Sequence, residues 1–179
     1  MSKVVFISTS LRNNSNSEYL ARECERGAKD AGHDTEFITL KGKNIGYCIG
    51  CLSCQSTGRC VIKDDAVEIA EKVKNADVLV FATPIYYYEM CGQMKTLLDR
   101  LNPLYSSDYR FRKVYMIATA ADSADYAFER AYNGLIGWTD CFERAKPCGL
   151  ITGGGITDGG EAKTHKDAIS RAYEAGRKL

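Results

Sequence analysis

Residues 77–100 read DVLVFATPIYYYEMCGQMKTLLDR. An acid opens the segment, and the uncharged run Val78–Ala82 that follows has the length of a strand. Because it is apolar on both alternating faces, it predicts a strand near the centre of a sheet covered on both sides. Pro84 is expected to stop that strand, Thr83–Cys91 to form a loop, and Gly92–Leu101 to form a helix. Three successive tyrosines, Tyr86, Tyr87 and Tyr88, are hard to bury together because each hydroxyl needs a partner. Some of these rings should face a ligand or another subunit; the alternative is that they cap an exposed edge of the core.

The same alternation extends in both directions. Upstream, the apolar run Lys3–Ile7 is followed by the polar stretch Ser8–Ser17. Apolar positions then recur at Leu20, Cys24, Ala28 and Ala31 with helical spacing. Ser15 and Glu18 form a capping-box pair and Gly32 a stop. A short strand at Thr35–Thr39, a long cysteine-bearing loop at about 44–62 and a helix from Asp65 carrying Ile69, Val73 and Ala76 complete the first half. Downstream come a strand at Lys113–Thr119, a helical region over Tyr126–Phe142, a strand at Pro147–Thr152, and a last helix from Glu161 to Lys178. Strands alternating with helices, with no hairpin signal, predict a single α/β domain over residues 1–179. Its core would be a doubly wound sheet of five parallel strands in the order 2-1-3-4-5, with right-handed crossovers and helices on both faces. Such a sheet binds its ligand beyond the carboxyl ends of the strands, where the strand order reverses. The loops after strands one, three and four are therefore the candidate site.

The composition fits this reading: 179 residues, 45% hydrophobic and 26% charged, with a net charge of +1. No block of like charge suggests a nucleic-acid surface. The N-terminal apolar run is too short for a signal sequence or a membrane span, so a cytoplasmic protein with no membrane partner is expected.

In the first loop, Ser8–Ser17 places hydroxyls, amides and one guanidinium between a strand end and a helix start. That chemistry suits a terminal phosphate, which the amides and the dipole of a helix N-terminus attract. The competing reading is a polar loop that merely caps the helix. There is no G-x-G-x-x-G after this strand and no P-loop, and in the later Gly153–Gly155 stretch Asp158 stands where a third glycine would be. A single phosphate therefore fits better than a pyrophosphate. Only His33 and His165 are available for histidine chemistry, and structural roles suit both. Neither a G-x-S-x-G elbow nor a C-x5-R spacing is present, so hydrolase readings are weak.

Together the two loops resemble the NADPH-dependent FMN reductase family of flavodoxin-like proteins. That family's first loop reads like S-x-R-x-x-x-N-[ST], met here by Ser10, Arg12, Asn16 and Ser17. Its second motif is followed almost throughout by Asp77–Arg100. Leu11 stands where the family often has Pro, and Ser15 where it often has Gly. The resemblance implies FMN as cofactor and NAD(P)H as reductant. It implies that Ser10, Arg12, Asn14, Ser15, Asn16 and Ser17 surround the phosphate, that Thr83, Pro84, Ile85, Tyr86 and Tyr87 line the ribityl chain and ring, and that Thr119, Ala120 and Ala121 border the ring's other edge. No side chain is named as a general base, because the flavin carries the chemistry.

Cys48, Cys51, Cys54 and Cys60 spell C-x2-C-x2-C-x5-C. Thiolates this close can ligate an iron-sulfur cluster, and the pattern is similar to the compact motif of iron-sulfur flavoproteins, in which a 4Fe-4S cluster exchanges electrons with FMN. Zinc is a second reading and free or redox-active thiols a third. Cys24 and Cys148 read as small buried hydrophobes, while Cys91 and Cys141 support no specific role.

Two functions remain in view. One is an enzyme that takes electrons from NAD(P)H to a quinone, nitro compound, flavin or other small acceptor. The other is an electron carrier in which FMN and a cysteine-held cluster connect redox proteins. A homodimer is expected, with Leu104–Arg112 and its Tyr105, Tyr109 and Phe111 as a candidate contribution to the interface.

Overall fold

The structure is a computed structural model that describes all 179 residues. Its elements in chain order are β1 (Lys3–Ser8), α1 (Asn16–Asp30), β2 (Asp34–Thr39), α2 (Ser53–Thr57), α3 (Asp65–Lys74), β3 (Val78–Tyr86), β4 (Glu89–Met90), α4 (Gly92–Arg100), β5 (Lys113–Thr119), α5 (Tyr126–Thr139), β6 (Lys146–Gly153) and α6 (Lys166–Gly176). The long strands pair in the order β2-β1-β3-β5-β6, all parallel. With the two-residue β4 set aside, this is the order 2-1-3-4-5 that the sequence predicts.

Alternate residues of each strand feed two separate cores. Val5, Ile7, Leu79, Phe81, Val114 and Met116 pack towards α3, α4 and α5. Val4, Phe6, Val78, Val80 and Ile117 pack towards α1 and α6. Burial on both faces explains why these strands read as unbroken apolar runs. On the second face α1 and α6 meet backbone to backbone. A Cβ on Gly176 would fall 1.9 Å from the Cys24 carbonyl oxygen, and one on Gly27 would fall 2.1 Å from that of Tyr173.

Several local expectations are corrected. β3 does not stop at Pro84 but continues to Tyr86 and turns back into β4, an antiparallel hairpin in which Ile85 faces Met90 and Tyr86 faces Glu89. Proline is tolerated there because β1 ends at Ser8, opposite Ala82. Beyond that point β3 is an edge on the β1 side, and the missing N–H leaves no β1 carbonyl unpaired. The turn residues Tyr87 and Tyr88 have φ of 52° and 64°, the left-handed conformation that a two-residue hairpin turn requires. The last helix is split into a 3-10 turn at Glu161–Thr164 and α6, and α5 ends at Thr139 instead of Phe142. Tyr109 and Phe111, offered as interface residues, are buried. Their rings join Trp138 and Phe142 in an aromatic cluster, with Tyr109 and Phe111 centroids 4.6 Å apart and Trp138 and Phe142 centroids 4.7 Å apart. Of that stretch's three aromatic rings only Tyr105 stays exposed. No helix is long and apolar enough to cross a membrane.

Candidate functional site

At the carboxyl edge of the sheet a cavity of about 200 Å³ opens between the loops that follow β1, β3, β5 and β6. The first loop contributes Ser10, Arg12, Ser15 and Asn16, and the end of β3 contributes Pro84, Ile85 and Tyr86. Thr119, Ala120 and Ala121 form the far wall. Ten of the residues singled out from sequence are thus brought into one space. The other four are not. Ser17 lies fully buried behind the loop, with its Oγ 3.2 Å from that of Ser15. Asn14 turns with φ of 52° into a neighbouring cleft. Thr83 is buried, donating to the Pro84 carbonyl at 2.9 Å and accepting from the Cys91 amide at 3.1 Å, so it fixes the hairpin to the start of α4. Tyr87 projects into solvent at 98% exposure.

Ile156 and Thr157, from the glycine-rich loop after β6, also line the cavity and were missed from sequence. The signal was available, because every loop at the carboxyl edge of a parallel sheet faces this side. That loop is stitched to the first one. Arg12 Nη1 donates to the Thr157 carbonyl at 2.8 Å, and Asn16 Nδ2 to that of Asp158 at 2.8 Å. Asn16 Oδ1 in turn accepts from the amides of Gly160 and Ala162, both at 3.1 Å.

Ser15 caps α1 by accepting from the Glu18 amide at 3.2 Å, so the capping reading of this serine is correct. The amides of Ser15, Asn16 and Ser17 make no hydrogen bond within the chain, although all three residues are buried. Unpaired amides at a helix N-terminus, beside the Ser10 hydroxyl and the Arg12 guanidinium, form a cradle that fits a monophosphate. Next to Ala121 in the chain, Asp122 accepts from the Tyr126 hydroxyl at 2.9 Å and the Tyr88 hydroxyl at 3.5 Å, tying the tyrosine hairpin to the loop after β5. The Ala124 amide first, and then Tyr126, hold the Asp122 carboxyl below its ordinary value.

A second feature lies in the cysteine loop. Cys48, Cys51, Cys54 and Cys60 all line one small cavity, floored by Arg100 and Asn102. Left-handed turns at Gly50 and Leu52, with φ of 66° and 56°, reverse the loop between the cysteines that line this cavity. Asn102 Nδ2 donates to Cys54 Sγ at 3.0 Å. The Ser53 amide, followed by its hydroxyl, lowers the Cys51 thiol. All eight cysteines are free thiols, and no three metal-ligating side chains converge at metal-binding spacing. As a donor set, four thiols on one cavity with N–H groups aimed at them fit an anionic, sulfur-held group.

Known proteins point to the same family. The family described as NADPH-dependent FMN reductase matches residues 2–133. An iron-sulfur flavoprotein of Methanocaldococcus jannaschii is 41% identical over 102 residues, covering 57% of this chain and 53% of that protein. One from Archaeoglobus fulgidus is 34% identical over 101 residues, covering 56% and 46%. The chain therefore spans about half the length of these curated relatives. Among solved structures, an NAD(P)H:quinone oxidoreductase from Methanothermobacter marburgensis superimposes with a TM-score of 0.78 at 20% identity, covering 99% of this chain and 96% of that one. An azoreductase from Bacillus anthracis gives 0.74 at 15%, with full coverage of both chains. At these identities the structural likeness establishes the flavodoxin-like fold. The two sequence motifs and the family match over residues 2–133 together establish that this chain belongs to the NADPH-dependent FMN reductase family.

Proposed function

We propose that the carboxyl-edge cavity binds FMN and that the protein is an FMN-dependent oxidoreductase, using NAD(P)H to reduce a small acceptor such as a quinone, flavin or nitro compound. The observation that carries this reading is the meeting, in one cavity, of the unpaired α1 amides with Pro84–Tyr86 and Thr119–Ala121. FMN, when bound, supplies a ring that accepts a hydride and passes electrons on.

The chain's own residues bind and orient. The Ser15 and Asn16 amides, the Ser10 hydroxyl and Arg12 hold the phosphate dianion, to which the N-terminal end of α1 adds its favourable dipole. Backbone groups of Pro84–Tyr86 and Thr119–Ala121 flank the heterocycle, and Ile156 excludes water from its inner side. Tyr88 and Tyr126, held by Asp122, stand on the segments that follow Tyr86 and Ala121 and would meet a nicotinamide or an acceptor approaching the cavity. The exposed tyrosines beside the cavity suit a second copy of the chain, so a homodimer belongs to this reading.

The four cysteines on one cavity favour a second reading. In it Cys48, Cys51, Cys54 and Cys60 hold a 4Fe-4S cluster, in keeping with the name iron-sulfur flavoprotein that its curated relatives carry, and the protein relays electrons between redox partners. Anaerobic addition of NADPH to FMN-loaded protein separates the two. Prompt bleaching of the flavin supports the oxidoreductase, whereas a flavin indifferent to NADPH but reduced by a low-potential protein donor supports the carrier. Failure to retain FMN at all would sink both.

A further inference from the structure

Arg100 closes α4 with its side chain at 0% exposure, paired with Asp64 at 4%. A guanidinium carries five N–H donors. Four are engaged here: Nη1 donates to the Gly46 carbonyl at 2.8 Å and to Asp64 Oδ2 at 2.6 Å, and Nη2 to the Ile62 carbonyl at 3.1 Å and to Asp64 Oδ1 at 2.8 Å. The fifth, on Nε, has no acceptor, and it is the one buried side-chain nitrogen or oxygen in the protein left in that state. A buried donor without a partner forfeits its hydration with nothing to replace it. With the other four bonds well formed, loose packing does not explain it.

Arg100 lines the cavity of the four cysteines. Asp64 first, with a smaller contribution from Cys60, keeps the guanidinium above its ordinary value. Asn102, two residues on, already donates to Cys54 Sγ at 3.0 Å. Two side chains bearing N–H donors, from one short stretch of chain, therefore line the cavity together with the cysteines. Asp64 neutralises the cation and locks its plane, so Arg100 presents an oriented donor and not a mobile charge, a role that lysine cannot copy.

We propose that Arg100 and Asn102 form a donor shelf beneath the cysteine loop, the Arg100 Nε–H donating to sulfur at Cys60 and the Asn102 amide to sulfur at Cys54. The shelf stabilises the more negative, reduced form of the sulfur-held group. This rests on the reading that the cysteines hold an iron-sulfur cluster, whose one-electron reduction adds a negative charge at those sulfurs. Hydrogen bonds to cluster sulfurs are among the determinants of such potentials. Both residues are positioning residues, acting through the cysteines.

The test uses the full chain, reconstituted anaerobically with ferrous iron and sulfide and titrated with dithionite under absorption and EPR. Arg100→Lys and, separately, Asn102→Leu are expected to lower the cluster midpoint potential. The shift is about tenfold in the reduced-to-oxidised ratio, or about 59 mV for one electron, with FMN uptake unchanged. Potentials equal to wild type in reconstituted variants overturn the proposal and assign the Nε–H to a buried water. Where Arg100→Lys does not fold by circular dichroism, Asn102→Leu decides on the same criterion. Wild-type protein that takes up no iron and sulfide overturns the cluster reading itself, and the proposal with it, a result distinct from equal potentials.

Discussion

Replacing Tyr87 with Asn should make this protein more stable and less competent. Tyr87 and Tyr88 both adopt positive φ, at 52° and 64°. The left-handed region costs a residue with a Cβ roughly 1–2 kcal/mol. Tyr88 recovers part of that cost, since its ring lies 5.8 Å from that of Tyr126 and its hydroxyl reaches Asp122. Tyr87 recovers none within the chain, because it is 98% exposed. Asn tolerates this conformation far better than Tyr, so Tyr87→Asn should gain about 1 kcal/mol, which raises Tm by roughly 2–4 °C in a protein of this size. Urea unfolding of the flavin-free chain and calorimetry would measure it. Strain that the fold does not need, carried by an aromatic ring beside the cleft, suggests that the ring serves a ligand or a neighbouring subunit. The variant should accordingly lose FMN affinity, subunit association or NADPH oxidation. A destabilised variant would refute the strain argument, and a stabilised one unchanged in all three activities would refute the functional one.

In the proposed FMN site, Arg12→Ala would remove a charge-assisted bond to the phosphate of about 1.5–3 kcal/mol, so FMN should bind roughly tenfold to a hundredfold more weakly. Riboflavin, which lacks the phosphate, should be unaffected in the same fluorescence titration; equal losses for both would mean that Arg12 acts through its bond to Thr157. Gly176→Ala should destabilise the fold by about 1–3 kcal/mol or more, since the new Cβ would fall 1.9 Å from the Cys24 carbonyl oxygen. Helix propensity alone predicts the opposite sign, so the direction of the Tm shift is decisive. Burial pushes the Cys24 thiol up from 9.0 to about 12. The stability that depends on its remaining protonated is complete below about pH 9 and is lost as pH rises towards 12. Cys24→Ala should therefore gain on wild type in alkaline unfolding above pH 9, and parallel curves would contradict the assignment.

The sheet was legible because both of its faces are covered. Val4–Ile7 and Val78–Ala82 read as unbroken apolar runs, and their alternate residues do divide between two cores. The start of α1 was legible because Ser15 and Glu18 form a local pair. The hairpin was not, since its turn carries Tyr87 and Tyr88 where Asn-Gly is the usual signal. Nor did sequence show that Pro84 lies beyond the end of β1, where a missing amide does no harm. Tyr109 and Phe111 sit in a segment without periodicity, and only the surrounding Trp138 and Phe142 show that they belong to the core. The contribution of Ile156 and Thr157 depends on contacts across more than a hundred residues, to Arg12 and Asn16.

The phosphate motif illustrates how one set of residues can serve two purposes. Asn16 uses its amide oxygen and one amide N–H on the Asp158–Ala162 segment, and Ser15 uses its hydroxyl as a helix cap, so both side chains are committed chiefly within the chain. What these residues offer a ligand is their backbone amides, and an amide is the same in every residue except proline. The departures from the family pattern then cost little. Ser15 has φ of −63° and ψ of 130°, ordinary extended backbone in which the absence of a glycine brings no strain. Leu11 is half exposed and is not among the residues lining the cavity, so the proline often found there is not needed to shape it. In the proposed FMN site, recognition by Ser15 and Asn16 is thus a property of backbone geometry, which their own side chains hold in place. Ser10 and Arg12 are the exceptions, and Arg12, the one charged side chain of the loop, is the one whose loss should be felt most by the phosphate.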